Sequence, residues 1–322
     1  MTGIESWTGE RLETFVFNEN TIEHLHRYVI AAELAAGKTV LDIASGEGYG
    51  TNMIAGVAAE VVGVDIDAET IANAQNKYRR DNLSFKTGSA DQIPCESGYF
   101  DLVVSFETIE HHDRHHEMMA EIKRVLKPGG ILLISSPDKK YYSDATGYKN
   151  PYHIKELYQQ EFEELLSQYF KQTSYCRQKN FIGSLIIPRF DCTENDSVTM
   201  YNGNYDGIGN NDVGAQFLVA LASDNELPQL KLTLFDGQRV VQKQIDDVRD
   251  QVMAFMQQQA TDYFGKMQKE ATDHVELLRQ RALNDIEQAR QKEALRLRNT
   301  RDYRMGNFLL SPLRTIKKIF YA

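Results

Sequence analysis

Short aliphatic runs alternate with helical patterns through the first half of the chain. Thr39 to Ile43, Val61 to Asp65, Leu83 to Thr87, Phe100 to Ser105 and Ile131 to Ser135 are β-branched or aliphatic runs bounded by turn residues, which predicts buried parallel strands. Two helical patterns stand among them. Asn20 to Ala36 could bring Ile22, Leu25, Val29 and Leu34 to one face and ends at Gly37; Glu117 to Leu126 is stopped by Pro128-Gly129-Gly130. A further helix is expected to begin near Thr51. Strands alternating with helices imply a mostly parallel sheet with right-handed crossovers, and ligands then sit at the carboxyl ends of its strands. Thr173 to Gln178 and Gln216 to Ser223 are expected to close the sheet as an antiparallel hairpin, giving seven strands. Between them an insertion at about 180–215 is rich in Asn, Asp and Gly, including Tyr201 to Gly207 and Asn210 to Asp212. It is too long for a hairpin turn, and its side chains suit the hydroxyls and rings of a sugar.

After Gly237 the pattern changes. Val241, Ile245, Val248, Val252, Met256, Ala260, Tyr263 and Met267 open an apolar series with steps of three and mostly four that runs on to Ala289. Its mean spacing, roughly 3.7 residues, is nearer an eleven-residue repeat than a heptad. One continuous helix of this kind would reach roughly 90 Å and could not bury its stripe alone. Self-association is the expectation, through a coiled-coil-like extension, and a helical hairpin bent near Gly265 is its rival. The domains read as 1–236, an α/β unit; 237–303, a helical oligomerisation region; and 304–322, a basic amphipathic tail suited to an anionic membrane surface or a partner protein.

Composition narrows the partners. A net charge of -10 over 322 residues argues against a general nucleic-acid surface. Cys95, Cys176 and Cys192 lack metal spacing and read as reduced, buried thiols. The start carries Glu5 and Glu10 without an apolar signal region, so the expected location is cytoplasmic, with the tail placing the protein peripherally on the inner face of the membrane.

The chemistry gathers first at Val40 to Gly50, where Gly46, Gly48 and Gly50 follow a strand. Such a turn suits a dinucleotide or S-adenosylmethionine (SAM). Asp42 and Glu47 would repel a pyrophosphate, whereas SAM carries a sulfonium and an ammonium that carboxylates favour. The third glycine also falls one position short of the dinucleotide fingerprint, whose place is held by Thr51. Asp65, ending the second strand, can accept both hydroxyls of a ribose.

Leu41 to Gly50, Gly63 to Asp67, Gly88 to Pro94, Phe100 to His111 and Glu121 to Ser136 together resemble the successive motifs of class I SAM-dependent methyltransferases. The resemblance implies a Rossmann-like fold. It also implies that Asp42, Gly46 and Gly48 line the methionine end of SAM, with Ala44 and Glu47 in the same turn. Asp65 would hold the ribose, Ile66 the adenine face, Ala90 and Asp91 the adenine edge, and Phe106 would lie beside the reacting methyl. Ser89 stands where related sequences often have Asp, so the resemblance implies an adenine-amine contact that is either weaker or made by Asp91. More narrowly, Thr8 to Arg11, Glu23 to Tyr28 and Asn150 to Glu156 resemble methyltransferases found with cell-surface polysaccharide (O-antigen type, lipopolysaccharide) biosynthesis. That likeness implies a glycan or lipid-linked saccharide acceptor, an N-terminal helix closing over SAM, and Arg27 or Arg11 on its carboxylate.

A sugar hydroxyl needs a general base, and histidine suits neutral pH. His111 and His112 follow the fourth strand and His153 the fifth. His111 or His153 is favoured. His111 with His115 and His112 with His116 also have the i, i+4 spacing of a metal pair, with Glu110 and Asp113 near; a solvated helix start without metal is the favoured reading. The expected activity is O-methylation of a cell-surface glycan or its lipid-linked precursor. Methylation of a small molecule or quinone, and a non-catalytic SAM-binding scaffold, are the alternatives.

Overall fold

The computed structural model describes residues 12, 14–181, 202–204, 207–209, 214–300 and 304–311. Trp7 to Arg11, Cys192, much of the insertion and the tail from Pro312 onward lie outside the described residues. The chain divides into two compact units, Met1–Ile245 and Asp246–Ala322.

The first unit holds seven strands in one sheet: β1 (Thr39–Ile43), β2 (Glu60–Asp65), β3 (Leu83–Thr87), β4 (Phe100–Ser105), β5 (Leu126–Pro137), β6 (Gln172–Gln178) and β9 (Phe217–Ser223). β7 (Asn202–Asn204) and β8 (Gly207–Gly209) form a small separate hairpin within the insertion. The sheet order is β3-β2-β1-β4-β5-β9-β6, parallel from β3 through β5, with β9 antiparallel to both β5 and β6. Strand order therefore reverses between β1 and β4. That crevice, at the carboxyl ends, is where open α/β sheets bind ligands.

The pleat sends alternate residues to opposite faces. Val40, Val61, Leu102 and Val104 pack against Tyr28, Ala31 and Ala35 of α1 (Glu19–Ala35). Leu41, Ile43, Val62 and Val103 face the other layer, where Met118, Met119 and Ile122 of α4 (His115–Val125) meet Phe162 and Leu166 of α5 (Gln159–Tyr169). Two short helices, α2 (Tyr49–Ile54) and α3 (Ala68–Lys77), follow β1 and β2. Asn18 caps α1 reciprocally: its Oδ1 accepts from Thr21 N at 3.2 Å, and Thr21 Oγ1 accepts from Asn18 N at 3.2 Å.

Two local expectations are corrected. The buried stripe of α1 carries Glu23, Arg27, Tyr28, Ala31 and Ala35, while Val29 is exposed, because this helix turns polar side chains toward the sheet. Pro128, Gly129 and Gly130 lie inside β5, since α4 has ended at Val125 and Gly129 (φ 75°) bends the strand without breaking it.

Helix α6 (Gln238–Arg298) is continuous over 61 residues and runs through Gly265, so the bent hairpin is not formed. In the second unit its apolar positions Val248, Val252, Met256, Tyr263, Met267 and Val275 are all exposed. Among the described residues no helix is long and apolar enough to cross a membrane.

Candidate functional site

The turn after β1 is built on left-handed backbone: Ala44, Gly46 and Gly48 have φ of 56°, 51° and 78°. Glycine is required where space is also closed. A Cβ on Gly48 would stand 2.7 Å from the Phe85 ring, and one on Gly50 would stand 2.0 Å from the ring of Tyr28.

Asp42 is fully buried beneath this turn. Thr51 Oγ1 donates to its Oδ2 at 2.7 Å, and Tyr28 Oη stands 3.3 Å from both oxygens. Burial pushes the carboxyl up to about 7, outweighing the two hydroxyls, which favour the charged form. Its oxygens are held by these two hydroxyls, and it supports the turn from below. Glu47, half-buried, is the carboxylate of the turn nearer solvent.

Asp65 ends β2 and ties two backbone segments together. Gly46 N donates to its Oδ2 at 2.9 Å and Asp67 N to its Oδ1 at 3.0 Å. Beside it Ile66 is 71% exposed, an apolar side chain open to a flat ring. Ala90 packs half-buried on the core. Asp91, expected at an adenine amine, is engaged by the Ser89 hydroxyl and the Arg114 guanidinium, which hold its carboxyl below the usual range.

At the end of β4, Phe106 is buried with its ring edge-to-face on Tyr28, centroids 5.1 Å apart. It packs under the turn. Glu107, which sequence reasoning passed over, follows in the left-handed region at φ 47°. A non-glycine residue there is strained unless its surroundings hold it. Ser135 does so: its Oγ donates to Glu107 Oε1 at 2.6 Å and accepts from Glu107 N at 3.2 Å. Arg27 Nη1 lies 3.1 Å from the same Oε1. The Arg27 guanidinium is buried, donates from Nε to Gln178 Oε1 at 2.6 Å, and lies 4.7 Å from the Phe217 ring centroid. Its Nη2 has no hydrogen-bond partner among the described residues.

Beyond Glu107 a 3-10 turn, Ile109–His111, places Glu110 and His111 opposite His153. The two imidazoles meet edge to face with centroids 5.1 Å apart, and Tyr142 stacks on His153 at 5.3 Å. His153 Nδ1 contacts Glu156 Oε1 at 2.6 Å, and Ser143 donates to Glu156 Oε2 at 2.5 Å. Burial, with Glu107 next in weight, drives the Glu110 carboxyl well above its ordinary range. The i, i+4 metal pairs are not assembled. His111 belongs to the 3-10 turn, His115 contacts the His112 carbonyl at 2.8 Å, and His116 contacts Tyr169 Oη at 3.1 Å. His112 accepts from Arg114 N, and burial lowers its pKa. The one signal for the missed Glu107 is the run Phe106-Glu-Thr-Ile-Glu-His111, with two carboxylates just past a strand end.

Residues 41–134 match the family model described as a methyltransferase domain. A protein of Mycolicibacterium smegmatis named as a probable S-adenosylmethionine-dependent methyltransferase is 36% identical over 162 residues, 49% of this chain and 62% of that one. A phthiotriol/phenolphthiotriol dimycocerosates methyltransferase of Mycobacterium ulcerans is 32% identical over 118 residues, 36% of this chain and 43% of that one. A fatty-acid O-methyltransferase of Mycolicibacterium smegmatis is 28% identical over 131 residues, 40% of this chain and 47% of that one. The chain spans about three-fifths of the length of the curated relatives it matches first. Residues 41–134 are thus similar to a methyltransferase domain, and S-adenosylmethionine is the cofactor in the name of the relative matched over 162 residues. The residues present fit it: a glycine turn that admits no side chain at Gly48, an open Ile66 beside Asp65, and a buried Arg27 Nη2 that lacks a partner.

Proposed function

We propose that this chain is a SAM-dependent O-methyltransferase whose acceptor is a sugar hydroxyl of a cell-surface polysaccharide or of its lipid-linked precursor. The observation that carries the reading is the cluster of Glu110, His111 and His153 past the end of β4, joined to the cofactor side through Glu107 and Arg27. An amine offers a free lone pair, whereas a hydroxyl must lose a proton, and a cluster of two imidazoles with the buried Glu110 is suited to promote that loss.

The cofactor supplies an electrophilic methyl on a sulfonium. Asp65 would hold its ribose, Ile66 its ring and Arg27 its carboxylate; Glu107 and Ser135 fix the strand end beside them. The acceptor oxygen then needs alignment and deprotonation at the histidine cluster. Asn150 with the exposed Tyr148, Tyr152 and Tyr158 offers the amide and rings that suit a saccharide. A second reading, a lipid acceptor, is favoured by the relative named a fatty-acid O-methyltransferase. Residues 237–303 are proposed to self-associate and the tail 304–322 to contact an anionic membrane.

Methyl-labelled SAM, incubated with lipid-linked saccharides, free polysaccharide, fatty acids and quinones, tests the reading. Label on a sugar oxygen is the expected result. Label only on a fatty acid establishes the second reading, and label only on a quinone or amine defeats both.

A further inference from the structure

We infer that Glu110, His111 and His153 hold a divalent transition-metal cation that binds the acceptor oxygen, an inference that rests on the O-methyltransferase reading for its role but not for its site. One ligand atom from each of the three residues lies within 4.8 Å of the other two. Metal bonds of about 2.0–2.3 Å span at most roughly 4.5 Å between two ligands, so small side-chain rotations close the set around one ion.

The groups behind each ligand support the assignment. His111 Nδ1 lies 3.1 Å from the Tyr152 carbonyl, and His153 Nδ1 lies 2.6 Å from Glu156 Oε1. The Glu156 carboxylate draws the His153 ring proton to Nδ1 and leaves its Nε2 as the ligand atom, and the Tyr152 carbonyl stands behind His111 in the same way. A carbonyl or carboxylate behind a histidine is the usual arrangement for metal-binding imidazoles, because it fixes the tautomer and raises basicity. Glu156 is itself held by Ser143. Asn150 Nδ2 stands 2.9 Å from His153 Nε2, on the lone pair the ion would take, so this amide swings aside on binding.

Glu110 supplies the independent observation. Its side chain is 1% exposed, yet Oε2 has no hydrogen-bond partner among the described residues. A buried carboxylate oxygen without a partner is costly unless a cation or proton meets it. Glu107 and Glu156 add like charge around it, offset in part by the Arg27 guanidinium. Two imidazoles and a carboxylate favour first-row transition ions over magnesium or calcium, which prefer oxygen throughout. Three protein ligands leave positions open for the acceptor. There the acceptor O–H releases its proton to solvent, the oxygen lone pair bonds to the methyl carbon, and the electron pair of the broken C–S bond remains on sulfur as a neutral thioether.

The full chain, stripped with chelator, is titrated with Mn2+ while electron paramagnetic resonance follows the free ion, and calorimetry records SAM binding in parallel. One ion bound per chain is expected, weakened at least about tenfold by His111→Ala, His153→Ala or Glu110→Gln, and about tenfold by Glu156→Gln. His116→Ala should leave ion binding unchanged. Retained SAM binding shows that a variant is folded, and the near-isosteric Glu110→Gln guards against a collapsed alanine variant. No bound ion, or binding indifferent to Glu110→Gln and His111→Ala, overturns the site. Methyl transfer that survives verified ion removal overturns its role on the acceptor. If the ion binds as expected and no hydroxyl is methylated, the O-methyltransferase reading fails while the site stands.

Discussion

Arg27 on α1 and Glu107 at the end of β4 face each other as an ion pair, Nη1 to Oε1 at 3.1 Å, with Arg27 1% exposed. The pair joins a helix that precedes the sheet to the strand end where order reverses. Glu107 occupies one edge of the guanidinium and Gln178 another, leaving Nη2 for an anion.

Arg27→Lys keeps the charge but removes the planar fork, and one ammonium cannot serve Glu107, Gln178 and a ligand carboxylate together. SAM affinity should fall about 10–100-fold, the range of one or two charge-assisted hydrogen bonds. Calorimetry on variant and parent measures it; equal affinity removes Arg27 from the cofactor site.

Gly50→Ala drives a methyl into the Tyr28 ring, which cannot retreat because Phe106 and Tyr49 pack on it at 5.1 and 5.5 Å. The expected cost is about 1–3 kcal/mol, together with loss of SAM binding as Tyr28 leaves Asp42. Thermal unfolding and a binding titration report the two effects, and a variant with parental stability contradicts the close approach.

Burial raises the Asp42 carboxyl from the ordinary carboxylate range to about 7 in the folded chain. Between these values the folded state holds more protons than the unfolded one, so this group's contribution to stability falls as pH rises, and the loss is complete above 7. Asp42→Asn should make stability between pH 4 and 7 less steep by up to about 1.4 kcal/mol per pH unit. Glu23, also raised to about 7 by burial, continues to contribute a slope. Urea unfolding across that range makes the comparison; unchanged slopes would show that Asp42 is ionised throughout.

Val252 and Met256 lie one helical turn apart on α6, 51% and 60% exposed. Replacing both by glutamate should convert a self-associated chain into single copies, seen by sedimentation velocity, with SAM binding retained. A parent that sediments as one copy refutes the proposed self-association.

The central strands were legible because they bury both faces, so aliphatic runs such as Val40-Leu41 and Val103-Val104 announce themselves. The glycine turn was legible for a different reason, since its backbone excludes other residues. Three features lay beyond a linear reading. The inward stripe of α1 mixes Glu23 and Arg27 with Tyr28, so apolar periodicity selected the wrong face. Asp42 looked like a free charge because its hydroxyl partners, Tyr28 and Thr51, meet it only in three dimensions. The meeting of His111 with His153 depends on the 3-10 turn after β4 and the loop after β5, and no spacing in the chain encodes their approach.

The two backbone contacts of Asp65 carry a further consequence. Its carboxylate receives Gly46 N on one side and Asp67 N on the other, so the ends of β1 and β2 share a single latch. A sugar hydroxyl arriving at that carboxylate competes with the Gly46 amide for the same oxygens. With Asp65 on the ribose as proposed, capture of the nucleoside and the shape of the pocket for the amino-acid portion would be one coupled event. An Asp65 variant would damage both halves of cofactor recognition together, and a nucleoside fragment alone would set the turn that the methionine portion meets.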